Sequence, residues 1–228
     1  MTLKRTTFLV IGILAFSAMI ALFNLGASSG TVSAETFAGA FAIDTKLNPE
    51  QITGAYGFDK AHSAIGFRVK HMGLVDVPGY FRDFTGTVNY DGKDVTKSTV
   101  EFSAKTTSVD TGVAGRDKHL RTADFFEVEK YPEMTFKSTK IEKKGKNWLV
   151  TGDFTMKGVT KQMTIPFQVV GFLPGEKGGM KMGVTAETSI NRRDFGVNYG
   201  TNMPNGVATL SNNITVNLQI EANMKKAS

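Results

Sequence analysis

Apolar and polar residues alternate with a period of two along most of the chain after residue 53. In the first such segment Ile65, Phe67 and Val69 share one phase, whereas Arg68 and Lys70 take the other. Successive side chains of a β-strand point to opposite faces, so this pattern predicts a strand with one apolar face. Seven further segments repeat it, with apolar positions at Phe84, Val88 and Tyr90; Val100, Phe102 and Ala104; Met134 and Phe136; Trp148, Val150, Phe154 and Met156; Met163, Ile165, Phe167 and Val169; Met180, Met182, Val184 and Ala186; and Ile214, Val216, Leu218 and Ile220.

Short turn sequences separate most of these strands. Asp91-Gly92, Lys157-Gly158 and Pro174-Gly175 are dipeptides that favour tight turns. Short connections join antiparallel neighbours, and a strand with one apolar face must bury that face inside a sandwich or a closed barrel. The alternation therefore predicts an all-β antiparallel domain of about eight strands. It leaves sandwich and barrel both open.

One connection, between the third and fourth of these strands, is much longer than the others. It contains the stretch GRDKHLRTADFF, in which a dense charged run precedes Phe125 and Phe126. A long connection inside a compact domain usually has a function or structure of its own. We expect a short helical insertion around residues 115–123 that covers one end of the domain. The two phenylalanines would point inward, and Arg116 with Asp117 would brace the corner through an ion pair or a loop network.

The first 34 residues have the order of a secretory signal. Two cations, Lys4 and Arg5, precede an apolar run, and small residues follow it up to Ala34. We expect cleavage after Ala34, which makes the mature protein periplasmic or secreted. The alternative is an uncleaved membrane anchor, because an apolar run of roughly 18 residues just spans a bilayer. Residues 35–53 are predicted to form a linker, in which we expect no regular structure beyond a short helix. Residues 54–223 are predicted to form the folded domain.

Composition narrows the classes of function. The chain has no cysteine, which excludes disulfides, thiolate chemistry and cysteine-based zinc sites. Its net charge of +6 is spread along the chain without a basic block, so we expect no nucleic-acid partner. A basic surface still favours transient contact with anionic membranes. The 17 phenylalanines suit a dry interior, because this side chain has no polar group.

The histidines do not indicate an enzyme or a metal site. His62 and Ser63 are neighbours, and on a strand they would face opposite ways, which prevents them from acting as base and nucleophile. The chain contains no G-x-S-x-G motif. The three histidines of the chain, His62, His71 and His119, are also too far apart along the sequence to form a local metal-binding motif. We expect no catalytic residue, no metal, and a structural hydrogen bond at His62.

Five stretches of the domain form an ordered set of motifs. They are FDKAHSAIGFRVKH (58–71), GYFRDFTGTV (79–88), TGVAGRDKHLRTADFFEVEKYPEMTFKST (111–139), GDFTMKGVTKQMTIPF (152–167) and NRRDFGV (191–197). Over essentially all of residues 54–222, this set resembles the YceI-like family of polyisoprenoid-binding proteins. The resemblance implies an extended, lipocalin-like antiparallel β-barrel of eight strands that encloses a long apolar tunnel for an isoprenoid chain. It also implies a bacterial periplasmic protein, in agreement with the separate evidence of the leader.

The implied ligand is an isoprenoid lipid, either a polyprenyl chain or an isoprenoid quinone, and no other cofactor is expected. Combined with the phase of the strands, the resemblance implies that the tunnel is lined by Phe67, Val69, Phe84, Phe102, Phe125, Phe126, Met134, Phe136, Phe154, Met156, Met163, Phe167, Met182 and Val184. The candidates for the head-group end are His71, Arg116, His119 and Arg193. Arginine can hold a phosphate or quinone oxygen through charge-assisted hydrogen bonds.

Two functions stay open at this point. The protein would carry, store or sense its lipid in the periplasm, or it would be a stress or interaction module whose loops bind a protein. The same apolar positions would then form a packed core without a ligand. A continuous cavity favours the first function and a filled core the second. A second copy of the chain is a further candidate partner, which would pair at the tunnel mouth.

Overall fold

The computed structural model describes residues 47–145, 147–175 and 179–225. Within them lie two α-helices and eleven strands, with the following bounds: α1 (Pro49–Ile52), β1 (Gly54–Phe58), β2 (Ala64–His71), β3 (Val75–Phe81), β4 (Phe84–Tyr90), β5 (Thr99–Lys105), β6 (Val109–Asp110), α2 (Ala114–Leu120), β7 (Glu133–Lys144), β8 (Asn147–Met156), β9 (Val159–Pro174), β10 (Met180–Asn191) and β11 (Leu210–Met224). Three short 3₁₀ turns cover Val95–Lys97, Thr106–Ser108 and Arg192–Phe195. The predicted leader and most of the predicted linker lie outside the described residues, and the end of that linker forms α1. No helix in the described ranges is long and apolar enough to cross a membrane.

Eight strands close into an antiparallel barrel in the order β1-β4-β5-β7-β8-β9-β10-β11, and β11 pairs back onto β1. The long strand β11 makes this closure together with β2. Its first part, Leu210 to Gln219, pairs with β2, and its last part, Ala222 to Met224, pairs with β1. Strands β3 and β6 continue the sheet beyond β2. The predicted eight-stranded antiparallel barrel with a short helical insertion is confirmed, and the sandwich is not formed.

The β8–β9 connection shows how a turn sequence sets the register. Lys157 and Gly158 both have positive φ, at 49° and 76°, and they join Met156 directly to its partner Val159. Two central residues in this conformation match the right-handed twist of a hairpin. The resulting register carries the inward phase of one strand onto the next, with Val150 opposite Ile165 and Gly152 opposite Met163.

The alternation does not predict β1, β3 and β6. Strand β3 contains Pro78 and Gly79, which interrupt the pattern of a strand. Proline is tolerated there because β6 pairs only with Tyr80 and Phe81, so that the backbone at Pro78 has a neighbour on one side alone. Gly79 leaves room for the Phe67 ring, which a β-carbon at residue 79 would approach to 2.2 Å.

The helical insertion is shorter than predicted. Helix α2 ends at Leu120, whereas the charged run continues to residue 124. The chain turns because the Phe126 amide donates to the Leu120 carbonyl at 3.0 Å and the Phe125 amide to the Thr122 carbonyl at 3.1 Å. This turn brings both phenylalanines against the barrel interior, where Phe125 is buried and Phe126 packs on the core.

The barrel has two different ends. At the end that we call the mouth lie α2, the β2–β3 turn and the segment 197–210. The opposite end is filled by the rings of Tyr56, Tyr90 and Phe172, whose centroids are 5.0 to 6.1 Å apart along the cluster. The fully buried Tyr56 hydroxyl donates to the Ile52 carbonyl in α1 at 2.7 Å, and burial raises the pKa of Tyr56 to about 12. Helix α1 is therefore fastened to this closed end.

Gly152 on β8 is a position where the fold requires the absence of a side chain. A β-carbon there would lie 2.4 Å from the Lys137 carbonyl oxygen and 2.6 Å from the tip of the Phe136 ring. We expect Gly152→Ala to lower the free energy of unfolding by about 1–3 kcal/mol, because the backbone or the ring must shift. Urea unfolding measures this loss.

Gly115→Ala is the matched control for that substitution. Gly115 lies in α2, and nothing surrounds its β-carbon position within 4 Å. Alanine favours helix over glycine, so stability should stay the same or rise by about 0.5–1 kcal/mol. Equal losses in the two variants would contradict the steric explanation.

Candidate functional site

An apolar cavity of about 410 Å³ lies inside the barrel, next to the mouth. Its walls come from the inward phase of the strands and from the residues that cover the mouth. Of the residues that the sequence predicts to line a tunnel, this first cavity is lined by Phe67, Val69, Phe102, Phe125, Phe126, Met134, Phe136, Phe154, Met156 and Met163. A space of this kind, apolar and enclosed by strands, suits an elongated hydrocarbon ligand.

A second, smaller cavity of about 90 Å³ lies deeper in the barrel, towards its closed end. It is lined by the remaining predicted residues Phe167, Met182 and Val184, together with Phe58, Val88 and Tyr90. Phe102 and Phe136 line both cavities. Phe84 lines neither of the two; it is buried in the packed core, 3% exposed.

The charged and titratable residues that line the first cavity gather at the mouth. His71, Arg116 and His119 are among them, as the sequence predicts for a head-group end. Arg193 is placed differently. Its guanidinium is exposed and donates to the Asn212 side-chain oxygen at 2.7 Å, whereas its neighbour Arg192 lines the cavity.

Arg192 is a buried cation held by neutral oxygens. It is 4% exposed. Its Nη1 donates to the Val197 carbonyl at 2.8 Å and its Nε to the Ser211 carbonyl at 3.0 Å, with longer contacts from Nη2 to Leu210 and Asn212. Burial, followed by the charge of Arg193, lowers the pKa of Arg192. The side chain thus ties the 3₁₀ turn to the start of β11 and gives the cavity wall a positive charge.

Arg116 and Asp117 brace α2 through a loop network centred on Thr111. Asp117 accepts from the Thr111 amide at 2.9 Å and from its hydroxyl at 2.5 Å, and it is buried. Arg116 donates to the Thr111 hydroxyl at 2.7 Å and to its carbonyl at 2.8 Å. Of the two alternatives for this corner, the network is the one that the structure contains. Both acceptors of Arg116 are neutral, and Arg116 is itself one of the residues that line the first cavity.

His119 forms an aromatic corner at the mouth. Its ring meets those of Phe125 and Tyr199 edge to face, with centroids 5.1 and 4.8 Å away. Its Nε2 lies 2.7 Å from a carboxylate oxygen of Asp124. The imidazole is therefore held in place on the first cavity by two rings and one carboxylate.

Several lining residues are absent from the sequence-based set. Ile65, Val216 and Leu218 lie on the inward phase, and a selection centred on Phe and Met passes over them. Leu120 and Tyr199 come from α2 and from the segment after the last 3₁₀ turn, where no periodic pattern marks the inward direction. Their position at the mouth follows from the tertiary structure of these loops and not from a pattern in the sequence.

Asp59, His62 and Glu221 bring three side chains that can ligate metals to within 4.8 Å of one another, at the bend between β1 and β2. Both carboxylates already have other partners. Asp59 accepts from Asn223 at 3.1 Å, and Glu221 accepts from Lys181 at 2.6 Å. The hydrogen bond from His62 is the main cause that lowers the pKa of Asp59 to about 2. We interpret this cluster as a brace of the bend, and it gives His62 the structural hydrogen bond that the sequence suggested.

Comparison with known proteins agrees with this architecture. The YceI-like domain matches residues 56–222. The chain belongs to the YceI-like family. Protein YceI of Escherichia coli is 40% identical over 148 residues, which cover 64% of this chain and 78% of that protein.

Two solved structures of other proteins have the same fold. The YCEI protein of Campylobacter jejuni is 33% identical, with a TM-score of 0.59 over 74% of this chain and 96% of that one. A polyisoprenoid-binding domain from Saccharophagus degradans has a TM-score of 0.55 over 75% of this chain and 98% of that one. Its sequence identity of 16% makes this second likeness one of fold alone. The resemblance found in the motifs is thereby confirmed.

Replacing Arg192 by methionine tests its structural role at the mouth. We expect Arg192→Met to lower the free energy of unfolding by about 2–4 kcal/mol, because buried carbonyl groups lose their donors. Arg193→Met is the matched control: its guanidinium is exposed, so the loss should stay below about 1 kcal/mol. Chemical denaturation of the two variants gives both values, and equal losses would contradict the distinction between the neighbouring arginines.

Proposed function

We propose that this YceI-like protein binds an isoprenoid lipid, either a polyprenyl chain or an isoprenoid quinone, inside its barrel. The observation that carries the proposal is the first cavity, an apolar space of about 410 Å³ whose charged lining residues all lie at the mouth. A long hydrocarbon with one polar end matches this cavity, because its tail would meet the apolar walls and its polar end the charged residues at the mouth. The polyisoprenoid-binding description of the Saccharophagus domain supports the same class of ligand.

The driving force for such a ligand is the removal of its tail from water. Each Å² of apolar surface that is buried contributes about 25 cal/mol, and the ordering of a flexible chain offsets part of this gain. The walls contain Met134, Met156 and Met163 beside the phenylalanines. Methionine adapts to irregular shapes, which suits a methyl-branched chain. An open cavity supports this function over the alternative of a packed core with a protein partner.

The head group would lie at the mouth, near Arg116, Arg192 and His119. The two guanidinium groups donate to neutral oxygens within the fold. A phosphate or a quinone oxygen would accept charge-assisted hydrogen bonds from them, which are stronger than hydrogen bonds between neutral groups. The described residues that line the second cavity, towards the closed end, include no charged side chain. The lipid would therefore enter tail first.

We further propose that the mouth makes transient contact with a membrane, as a periplasmic carrier of lipid requires. Leu74 in the β2–β3 turn and Val75 at the start of β3 are exposed, at 78% and 59%. This turn adjoins the segment 197–210, since the Met72 amide donates to the Thr209 carbonyl at 3.0 Å. The neighbouring residues His71 and Leu210 line the first cavity. An apolar rim of this kind would enter the head-group layer and let a tail pass from bilayer to barrel.

Mass spectrometry under native conditions tests the lipid. We expect the protein, purified from cells without detergent, to carry extra mass that extracts as a polyprenyl lipid or an isoprenoid quinone. Phe154→Arg should abolish this mass, because it places a charge without a partner in the apolar cavity. Val170→Arg is the control, since Val170 is 54% exposed, and it should retain the lipid. A folded Phe154→Arg protein that keeps its lipid would contradict the site.

Lipid transfer between vesicles tests the rim. We expect Leu74→Asp to slow the transfer of a bound isoprenoid from protein to anionic vesicles, while the amount bound at equilibrium stays the same. The reason is that a carboxylate at the rim is repelled by the membrane. Leu173→Asp is the matched control, because Leu173 is 57% exposed near the end of β9, on the side of the closed end. Equal rates in the two variants would contradict contact through the mouth.

A further inference from the structure

We propose that Phe102 and Phe136 form an internal divider that determines how long an isoprenoid chain the barrel accepts without rearrangement. This inference rests on the proposed function and assigns chain-length selectivity within the same site. The two rings stack with centroids 5.8 Å apart and an interplanar angle of 20°. Both line the first cavity and both line the second. The wall between the two spaces therefore contains this ring pair.

The second cavity continues the first along the barrel. Besides the ring pair, Ile65, Ile165 and Leu218 line both spaces. Beyond the divider the lining is almost wholly apolar, from Val150 and Phe167 to Tyr90. Tyr90 packs on Phe172 at 5.0 Å, which is where the closed end begins. Without the divider, one apolar channel would run from the mouth to that cluster.

The two rings are held with different strength. Phe136 is 3% exposed, and its tip lies against Gly152, where even a β-carbon would come within 2.6 Å. Phe102 is only half-buried. Its lateral neighbour on one side is Phe136, and on the other side it is Gly86, whose side-chain space holds the edge of the Phe58 ring. Because Phe102 is less buried than Phe136 and Phe136 is wedged against Gly152, we take Phe102 as the ring that can turn and Phe136 as the fixed one.

Selectivity follows from this asymmetry. A chain that ends before the divider fills the first cavity and leaves the rings stacked. A longer chain must turn Phe102 off its partner, which loses the stacking and the packing of an aromatic ring. The affinity should therefore rise with chain length until the first cavity is full. Each further isoprene unit should then add less affinity than the earlier ones, or reduce it.

The test compares the binding of farnesol, geranylgeraniol and solanesol, in rising chain length, to the full protein after delipidation. We expect Phe102→Ala to bind the longest chain roughly tenfold or more tighter than the wild type, with little change for the shortest, since apolar pockets discriminate by about this factor. Phe67→Ala is the matched control. Phe67 lines the first cavity and not the second, so its removal enlarges the site without joining the two spaces.

A second variant tests whether the deeper cavity is the space that the longer chain gains. Ala186 lines the second cavity and not the first. Adding Ala186→Leu to Phe102→Ala should cancel the gain for solanesol and leave farnesol unaffected. The divider is overturned if Phe102→Ala and Phe67→Ala change the three affinities alike, or if Ala186→Leu has no effect on the longest chain.

Failure of the proposed function would look different. In that case the wild type would bind none of the three alcohols and would carry no lipid from cells. The divider would then be judged by crystals under xenon pressure, because xenon enters dry apolar cavities. Two separate xenon sites in the wild type that merge in Phe102→Ala support the divider, and sites that stay separate in the variant overturn it.

Discussion

The pairing of β11 is the constraint on which the rest of the structure depends. One edge of this strand meets β10 from Asn213 to Asn223, while the other meets β2 first and β1 afterwards. The change of partner forces the chain to bend at residues 59–63, where Ser63 and Glu221 exchange hydrogen bonds of 3.0 Å. The closed ring that results has no free strand edge among the described residues of its deeper half. A shift of one residue would turn every inward side chain outward.

Glycine determines how the interior is then filled. At Gly79, Gly86 and Gly152 the missing side chain is replaced by a phenylalanine ring from elsewhere in the barrel, respectively Phe67, Phe58 and Phe136. A β-carbon at any of the three would lie within 2.6 Å of that ring. Rings held against backbone in this way leave the barrel axis only partly filled. Close packing of rings against the barrel wall, typical of protein interiors, is therefore found beside two cavities along the axis.

The sequence predicts the strands and the inward phase because both follow from local periodicity. It misses β1 and β3, where Gly57, Pro78 and Gly79 break the alternation and the pairing partners lie far along the chain. The same distinction applies within the site. Phase predicts that Phe102 and Phe154 face inward, but it cannot distinguish a ring on a cavity from one in a packed core, such as Phe84. Nor can it choose Arg192 over Arg193, since the direction of each side chain depends on a 3₁₀ turn and on carbonyls of β11.

Arg192 also shows how a polar group can border an apolar cavity at moderate cost. A buried cation is expensive unless its donors are satisfied. Here carbonyls from both flanking segments satisfy them, and among the described residues no carboxylate pairs with the guanidinium, which leaves its positive field uncancelled at the cavity wall. A carboxylate partner would cancel that field. The mouth end of the apolar cavity therefore favours an anionic group or a strong hydrogen-bond acceptor.

At the other end of the barrel, Tyr56 donates its hydroxyl to the Ile52 carbonyl in α1 and packs as part of the apolar cluster that closes that end. This polarity along the barrel axis is what would orient a lipid with its head at the mouth and its tail towards the ring pair.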